Sequence, residues 1–280
     1  MKFSSLHAHS VFCDGKDDVE TICRTAWEKG LVSVGFSSHA PIFGKTGILS
    51  DWHMPEEKLE QYLEEVRAAR RRWEGKIPVY LGLEIDYISG LMGPGDGVYR
   101  ELGLDYIIGS VHYLVPEKGA PFTVDGSRKE TLEGIRAGFD GDGEAYMNCY
   151  WNAVADMINA GGFDILGHVD LVKKNNRGDL FAEDGETWLR RGRETARAAA
   201  SAGVVLELNT GGLNRKKTAE TYPSPALLAF FHEQHVPLII TADAHEASDL
   251  DGNYDTARKI LLDSGCSETV FFEGRKDGPE

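Results

Sequence analysis

The sequence predicts an α/β fold in which parallel strands, covered by helices, close into one barrel. Three observations lead to this prediction: strand-like and helix-like segments alternate along the chain, the strands are almost continuously hydrophobic, and about seven or eight such units occur. Strands of this kind are typical of a parallel sheet covered by helices. Because no linker-like stretch interrupts the 280 residues, we expect a single domain over residues 1–280.

The predicted strands are short and rich in branched residues, and helical patterns lie between them. The strands lie near residues 2–7, 32–37, 78–84, 105–111, 163–168, 203–209 and 236–242, with a possible eighth at 268–272. The helices lie near residues 17–29, 55–74, 144–160, 184–202, 224–234 and 252–264. Ser224 before Pro225 is a typical helix start. Gly30, Gly203 and Gly265 are typical helix ends.

Two connections, residues 86–104 and 113–143, are long for a compact domain. Long loops in such domains usually serve function or are mobile. We therefore expect both segments to lie over the functional site.

Composition and charge narrow the classes of function. Thirty Lys and Arg against 45 Asp and Glu give a net charge of -15, which argues against a broad nucleic-acid surface. No run of 18 apolar residues and no signal-peptide pattern occurs, so we expect a cytoplasmic protein with no membrane contact. The four cysteines are scattered without a C-x-x-C pair, which excludes a zinc ribbon and disfavours a disulfide framework.

Six of the nine histidines fall where a predicted strand ends. They are His7, His9, His39, His112, His168 and His245. Glu84 and Asp243 lie at strand ends as well. The carboxyl ends of barrel strands converge on one face, where barrel enzymes place their chemistry. Histidines distributed at random would also fall on helices and loops, as His53, His232 and His235 do; the cluster therefore predicts a metal site.

The motifs around these residues resemble the polymerase and histidinol phosphatase (PHP) superfamily. They are "HAHS" at 7–10, "SSHAP" at 37–41, "GLEIDY" at 82–87, "GSVH" at 109–112, "GHVD" at 167–170 and "TADAH" at 241–245. The segments "HVDLVKKNNRG" at 168–178 and "ELNTGGLNRK" at 207–216 are similar to the histidinol-phosphate phosphatase branch. The resemblance implies a distorted barrel of seven parallel strands with a metal site at their carboxyl ends.

The resemblance also implies three divalent metal ions. The first would be held by His7, His9, Glu84 and Asp243; Glu84 would bridge to a second held by His112 and His168; the third would be held by Asp14, His39 and His245. Asp14 stands where many relatives carry histidine. Imidazoles with several carboxylates suit zinc, iron or manganese, which the sequence does not rank.

The activity that the resemblance implies is hydrolysis of L-histidinol phosphate to L-histidinol and phosphate, in histidine biosynthesis, by a metal-bound hydroxide. Glu84, Asp243 and His245 would be the catalytic residues. Arg177 and Arg215 would bind the phosphate, and Tyr113 would face the substrate. The candidate partners for the cationic groups of the substrate are Asp86, Asp96, Asp125 and Asp170.

Three alternatives stay open at this point. The same metal site would serve another phosphomonoester, including phosphotyrosine, or a 3'-5' exonuclease, although the net charge of -15 disfavours a nucleic-acid partner. A non-catalytic metal- or phosphate-binding module is the third. The oligomeric state does not follow from the sequence.

Overall fold

Seven parallel strands form the central sheet of the protein, in a computed structural model that describes residues 3–44 and 46–272. All strands in chain order are β1 (Ser4–Ser5), β2 (Ser33–Phe36), β3 (Val79–Asp86), β4 (Tyr106–Ser110), β5 (Tyr113–Leu114), β6 (Phe122–Thr123), β7 (Ile165–Leu166), β8 (Val205–Asn209) and β9 (Leu238–Thr241). The sheet has the order β1-β2-β3-β4-β7-β8-β9, and β5 and β6 form a separate antiparallel hairpin.

The sheet closes into a ring just beyond the ends of β1 and β9. Ala8 forms a parallel bridge with Ala244. The His9 N–H donates to the Ala244 carbonyl at 2.8 Å, and the Ala244 N–H donates to the His7 carbonyl at 3.0 Å. Because β1 and β7 have only two residues each, the ring is irregular. The predicted distorted seven-stranded α/β barrel is confirmed.

Nine α-helices cover this barrel within the described residues. They are α1 (Val19–Glu28), α2 (Leu59–Arg72), α3 (Gly97–Arg100), α4 (Arg128–Phe139), α5 (Gly143–Ala160), α6 (Glu186–Ala202), α7 (Gly211–Asn214), α8 (Pro225–Glu233) and α9 (Tyr254–Asp263). Short 3-10 helices lie at Glu56–Lys58, Leu171–Asn175 and Ala247–Asp249. In the part of the chain that the structure covers, no helix combines the length and apolarity that a membrane span needs.

The helices end at the predicted glycines and α8 begins at the predicted proline, but the predicted side-chain cap of α8 is absent. Gly30, Gly203 and Gly265 each have a positive φ just after a helix, a conformation that glycine adopts without steric cost. Pro225 occupies the first turn of α8, as predicted. However, the Ser224 side chain forms no capping hydrogen bond; its backbone N–H instead donates to Asp170 Oδ2 at 2.9 Å.

The predicted eighth strand is wrong. Residues 268–272 belong to no strand and form no ladder. The Val270 N–H donates to the Leu238 carbonyl, and the Phe272 ring packs edge-on against Tyr80 and Tyr106. This segment therefore lies across the amino-terminal end of the barrel instead of extending the sheet.

The sequence-based prediction places no strand or helix within residues 113–143, and this is also wrong. This segment contains β5, β6 and α4. A capping box starts α4, because Ser127 Oγ accepts from the Glu130 N–H while the Glu130 carboxylate accepts from the Ser127 N–H. The signal Ser-x-x-Glu is present in the sequence. The expected position over the site is observed for residues 113–143, since Thr123, Asp125, Gly126 and Glu130 line the pocket described below. For residues 86–104, which contain α3, it is not observed, because none of them lines that pocket.

The boundaries of the domain stay a prediction. The predicted range 1–280 and the first strand, from residue 2, include residues outside the described ranges.

Candidate metal centre

The carboxyl ends of the barrel strands surround a pocket of about 300 Å³. Seven of the nine predicted ligands line it: Asp14, His39, Glu84, His112, His168, Asp243 and His245. His7 and His9 follow β1 and lie beneath the pocket floor, with side chains that are not exposed. The structure therefore brings all nine predicted ligands to one place.

Glu84, the sixth residue of β3, lies at the middle of this group. One carboxylate oxygen, Oε2, faces three imidazole nitrogens: His39 Nδ1 at 3.0 Å, His7 Nε2 at 3.3 Å and His9 Nε2 at 3.6 Å. The other oxygen, Oε1, faces His168 Nε2 at 2.9 Å and His112 Nε2 at 3.5 Å, and it accepts a hydrogen bond from Ser110 Oγ at 2.6 Å. The carboxylate thus lies between two sets of histidines, the position of a bridging ligand.

Two aspartates, Asp243 and Asp14, lie beside further histidines of the site. Asp243 Oδ1 lies 3.2 Å from His9 Nε2 and 3.7 Å from His7 Nε2. Asp14 Oδ2 lies 3.1 Å from His245 Nε2, while its Oδ1 lies 3.8 Å from His39 Nε2. His9 and His39 therefore each face more than one carboxylate.

The donor atoms fit divalent cations. Within the described residues, three groups have ligand atoms within 4.8 Å of one another: His7, His9 and Asp243; His39, Glu84 and His112; His9, Asp14, His39 and His245. Four buried atoms that face this space lack a hydrogen-bond partner: His7 Nε2, His9 Nε2, His39 Nδ1 and Glu84 Oε2. Unpaired buried polar atoms are costly, and metal coordination would satisfy them. The number and identity of the ions stay predictions.

The pKa values of the carboxylates and of His9 suit metal binding, whereas burial is outweighed by neighbouring carboxylates, which raise the pKa of His7, His112 and His245, so that metal binding would displace protons from these rings. Burial raises the pKa of Glu84, but His7, His39 and His112 outweigh it and hold that pKa well below its usual value. Burial also raises the pKa of Asp243, and Arg215 and His7 more than reverse this effect. Burial, assisted by His245 and His39, lowers the pKa of His9 to about 3. Ionised carboxylates and a neutral imidazole are the forms that coordinate metals.

Two buried carboxylates support the ligands from behind, and the sequence did not identify this role. Asp86 Oδ1 accepts from the His112 ring at Nδ1 and from its backbone N–H, both at 3.0 Å. Asp86 Oδ2 lies 2.7 Å from His53 Nε2. Glu207 Oε2 lies 2.8 Å from His7 Nδ1. Metal-binding histidines commonly donate their second nitrogen to such a carboxylate.

The four acidic candidates for substrate contacts have different positions. Asp86 is buried behind His112, and Asp170 is buried against the Lys173 ammonium at 2.8 Å. Asp96 accepts from the Gly93 N–H before α3. Asp125 alone of the four lines the pocket, where its carboxylate pairs with Lys174 at 2.6 Å.

The three predicted substrate-binding residues also differ. Arg215 lines the pocket, and its guanidinium donates to Asp243 Oδ2 at 2.9 Å and lies 2.9 Å from His245 Nδ1. Arg177 is exposed, has a positive φ of 45° and does not line the pocket. Tyr113 is buried behind Trp52, with parallel rings 5.5 Å apart. Trp52, which the sequence analysis missed, forms the pocket wall there.

Comparisons with known proteins agree with this architecture. Residues 5–211 match the PHP domain family. A protein of Deinococcus radiodurans named "Probable histidinol-phosphatase" is 30% identical over 285 residues, which cover 98% of this chain and 97% of that protein. The chain therefore belongs to the PHP domain family, as the motifs implied.

Two crystal structures share the fold. A "putative histidinol phosphatase" of Listeria monocytogenes has a TM-score of 0.81 at 23% identity, covering 90% of this chain and 99% of that one. The histidinol phosphate phosphatase of Lactococcus lactis subsp. lactis has a TM-score of 0.66 at 22% identity, covering 98% and 99%. The latter structure is a complex with zinc, L-histidinol and phosphate. These structures share the barrel fold of this chain. Within that fold, the ligand group lies at the carboxyl ends of the strands, as predicted.

Proposed function

We propose that this protein is a metal-dependent phosphomonoesterase that hydrolyses L-histidinol phosphate to L-histidinol and phosphate. The observation that carries the proposal is the position of Glu84 between two sets of histidines, in a pocket that also contains Arg215. A bridging carboxylate of this kind holds two cations at the separation that phosphatases use. The names of the relatives from D. radiodurans and L. lactis support the choice of substrate.

The nine ligands would hold the metal ions, which we propose to be three ions of zinc, iron or manganese. When bound, such ions supply Lewis acidity, which makes water a nucleophile near neutral pH and stabilises charge on phosphate oxygens. Glu84, Asp243 and His245 line the pocket and are the proposed catalytic residues.

Arg215 is the proposed phosphate-binding residue. Its side chain is 33% exposed, and its guanidinium contacts both Asp243 and His245 at the edge of the ligand group. A guanidinium offers paired N–H donors to two phosphate oxygens. Arg215 would thus orient the phosphate towards the ligands.

Another part of the pocket lining would receive the cationic part of the substrate. It contains Asp51, Trp52, Asp125 and Glu130. Burial raises the pKa of Asp125, but Lys174 and His112 outweigh it and lower that pKa, so the carboxylate is ionised. Carboxylates and an indole face both attract cationic groups. The pocket lining therefore offers a guanidinium for the phosphate and carboxylates for a cationic group, as a small zwitterionic phosphomonoester requires.

Phosphate release by the metal-reconstituted protein tests the proposal. L-histidinol phosphate should be hydrolysed at least about 100-fold faster, in kcat/KM, than p-nitrophenyl phosphate or phosphotyrosine, because discrimination of this size needs only a few placed polar contacts. Comparable rates on all three would assign the site to another phosphomonoester. Faster hydrolysis of a single-stranded DNA oligonucleotide would show that the protein is a nuclease. Absence of hydrolysis by protein with full metal content would show that it is a non-catalytic binding module.

A further inference from the structure

Glu207 lies in β8, beneath the pocket, and belongs to none of the three groups of ligand atoms. It is fully buried, with 0% exposure. It does not line the pocket, so its role would be exerted through the residues that it contacts and not on the substrate. A buried carboxylate without a metal or a fixed cation is costly unless hydrogen bonds satisfy it.

Four donors converge on this carboxylate. Oε2 accepts from His7 Nδ1 and Thr241 Oγ1, each at 2.8 Å, and Oε1 accepts from the His168 N–H at 2.6 Å and from Asn209 Nδ2 at 2.9 Å. The donors come from the ends of β1, β7, β8 and β9, so Glu207 connects four neighbouring strands across the barrel. Asn209 Nδ2 also reaches Asp243 Oδ2 at 3.4 Å.

The chemistry of these contacts requires an ionised carboxylate at position 207. Such a group only accepts hydrogen bonds and has about four lone-pair sites, and here each site has a donor. The contact with Glu207 places a hydrogen on His7 Nδ1. When the ring is neutral, as metal coordination requires, the lone pair is therefore on the other nitrogen, Nε2, which lies 3.3 Å from Glu84 Oε2 and 3.7 Å from Asp243 Oδ1.

We propose that Glu207 is a positioning residue that prepares the metal centre for binding. It holds His7 in the tautomer and orientation that a metal needs, and it fixes the strand end that carries His168. This inference rests on the proposed metal centre but not on the identity of the substrate.

Glu207→Gln tests the role with almost no change in shape. An amide has one acceptor oxygen and an NH2 group, so in either orientation the NH2 group faces two N–H or O–H donors. One orientation removes the acceptor from His7, and the other removes it from His168. We expect zinc affinity, measured by competition with a fluorescent chelator, to fall about 10- to 100-fold, the usual cost of losing such a partner. Glu57→Gln, on the exposed 3-10 helix at Glu56–Lys58, is the matched control and should bind zinc like the unaltered protein.

A double-substitution cycle separates positioning from a general loss of structure. In a His7→Ala background, the same Glu207→Gln change should cost much less zinc affinity, because its main target is already absent. Circular dichroism checks that all variants are folded. If the two losses add in full, Glu207 does not act through His7 and the proposal is wrong.

Nitrogen NMR of the unaltered, zinc-loaded protein gives a test that does not depend on a folded variant. The His7 ring hydrogen should be found on Nδ1, and His7→Ala assigns the signal by its disappearance. A hydrogen on Nε2 would overturn the inference, and so would a failure of the unaltered protein to bind zinc. Tight zinc binding without hydrolysis of L-histidinol phosphate would refute only the proposed substrate.

Discussion

The two ends of the barrel interior differ in chemistry although the same strands build both. Along β4, the inward positions change from Tyr106 and Ile108 at the amino-terminal end to Ser110, which donates to Glu84. Along β8, Val205 packs on the apolar cluster, whereas Glu207 and Asn209 hydrogen-bond beneath the ligands. At the amino-terminal end, the residues form a small buried cluster: Leu6, Tyr106, Ile108, Ile165 and Ile239, with Phe272 packed against it.

The amino-terminal end of the barrel therefore contributes mainly to stability, whereas the carboxyl end carries the groups that would bind metal and substrate. Apolar burial at the amino-terminal end stabilises the ring at about 25 cal/mol per Å² and needs no directional partner. The carboxyl end buries charges that are stable only if each has a partner, and several of its atoms are unpaired without metal. Substitutions at the carboxyl end should therefore lower metal binding and activity, whereas substitutions at the amino-terminal end should lower the free energy of unfolding.

The largest expected effect is at the carboxyl end. Glu84→Gln removes a charge from the oxygen pair that faces five histidine nitrogens. We expect metal content to fall, and kcat/KM for L-histidinol phosphate to fall by at least about 10²- to 10³-fold, a range typical of losing one electrostatic group in an active site. Elemental analysis and steady-state kinetics measure the two quantities. Unaltered metal content and activity would refute the bridging role.

A substitution at the amino-terminal end should lower the stability of the protein and leave its metal affinity nearly unchanged. Ile108→Ala removes a side chain with 0% exposure from the apolar cluster. The free energy of unfolding in urea should fall by about 2–5 kcal/mol, because lost burial and a residual cavity both destabilise. Zinc affinity of the folded protein should change little. A strong loss of zinc affinity without a loss of stability would mean that the two ends are not independent.

The smallest of these effects should distinguish two arginines. Arg215→Ala should raise KM about 10- to 100-fold, since hydrogen bonds to a charged group contribute about 1.5–3 kcal/mol. Arg177→Ala, at an exposed position outside the pocket, should change KM by about twofold or less. A large rise in KM for Arg177→Ala would support the assignment made from the motifs and would require the loop after residue 175 to approach the substrate.

Sequence patterns within short segments were sufficient to predict most of the barrel and the residues of the candidate metal site. The alternation of strands and helices predicted the barrel. Six histidines and two carboxylates at strand ends, together with Asp14 from the family resemblance, predicted the nine residues that the structure brings together. The capping box at Ser127 and Glu130 is an equally local signal, but the sequence analysis did not use it and therefore predicted no helix at α4. Residues 268–272 have the composition of a strand but contribute one backbone hydrogen bond to Leu238 and packing by Phe272.

The sequence by itself determined the kind of fold and the chemistry of its site, because periodicity and residue type are local properties. Only the tertiary structure decided which groups act together. His7 and Glu207 are 200 positions apart and meet at 2.8 Å because β1 and β8 converge in the ring. The same closure places Arg215 in the pocket, leaves Arg177 outside it and hides Tyr113 behind Trp52. These contacts depend on the distances between strands, which no short segment of sequence specifies.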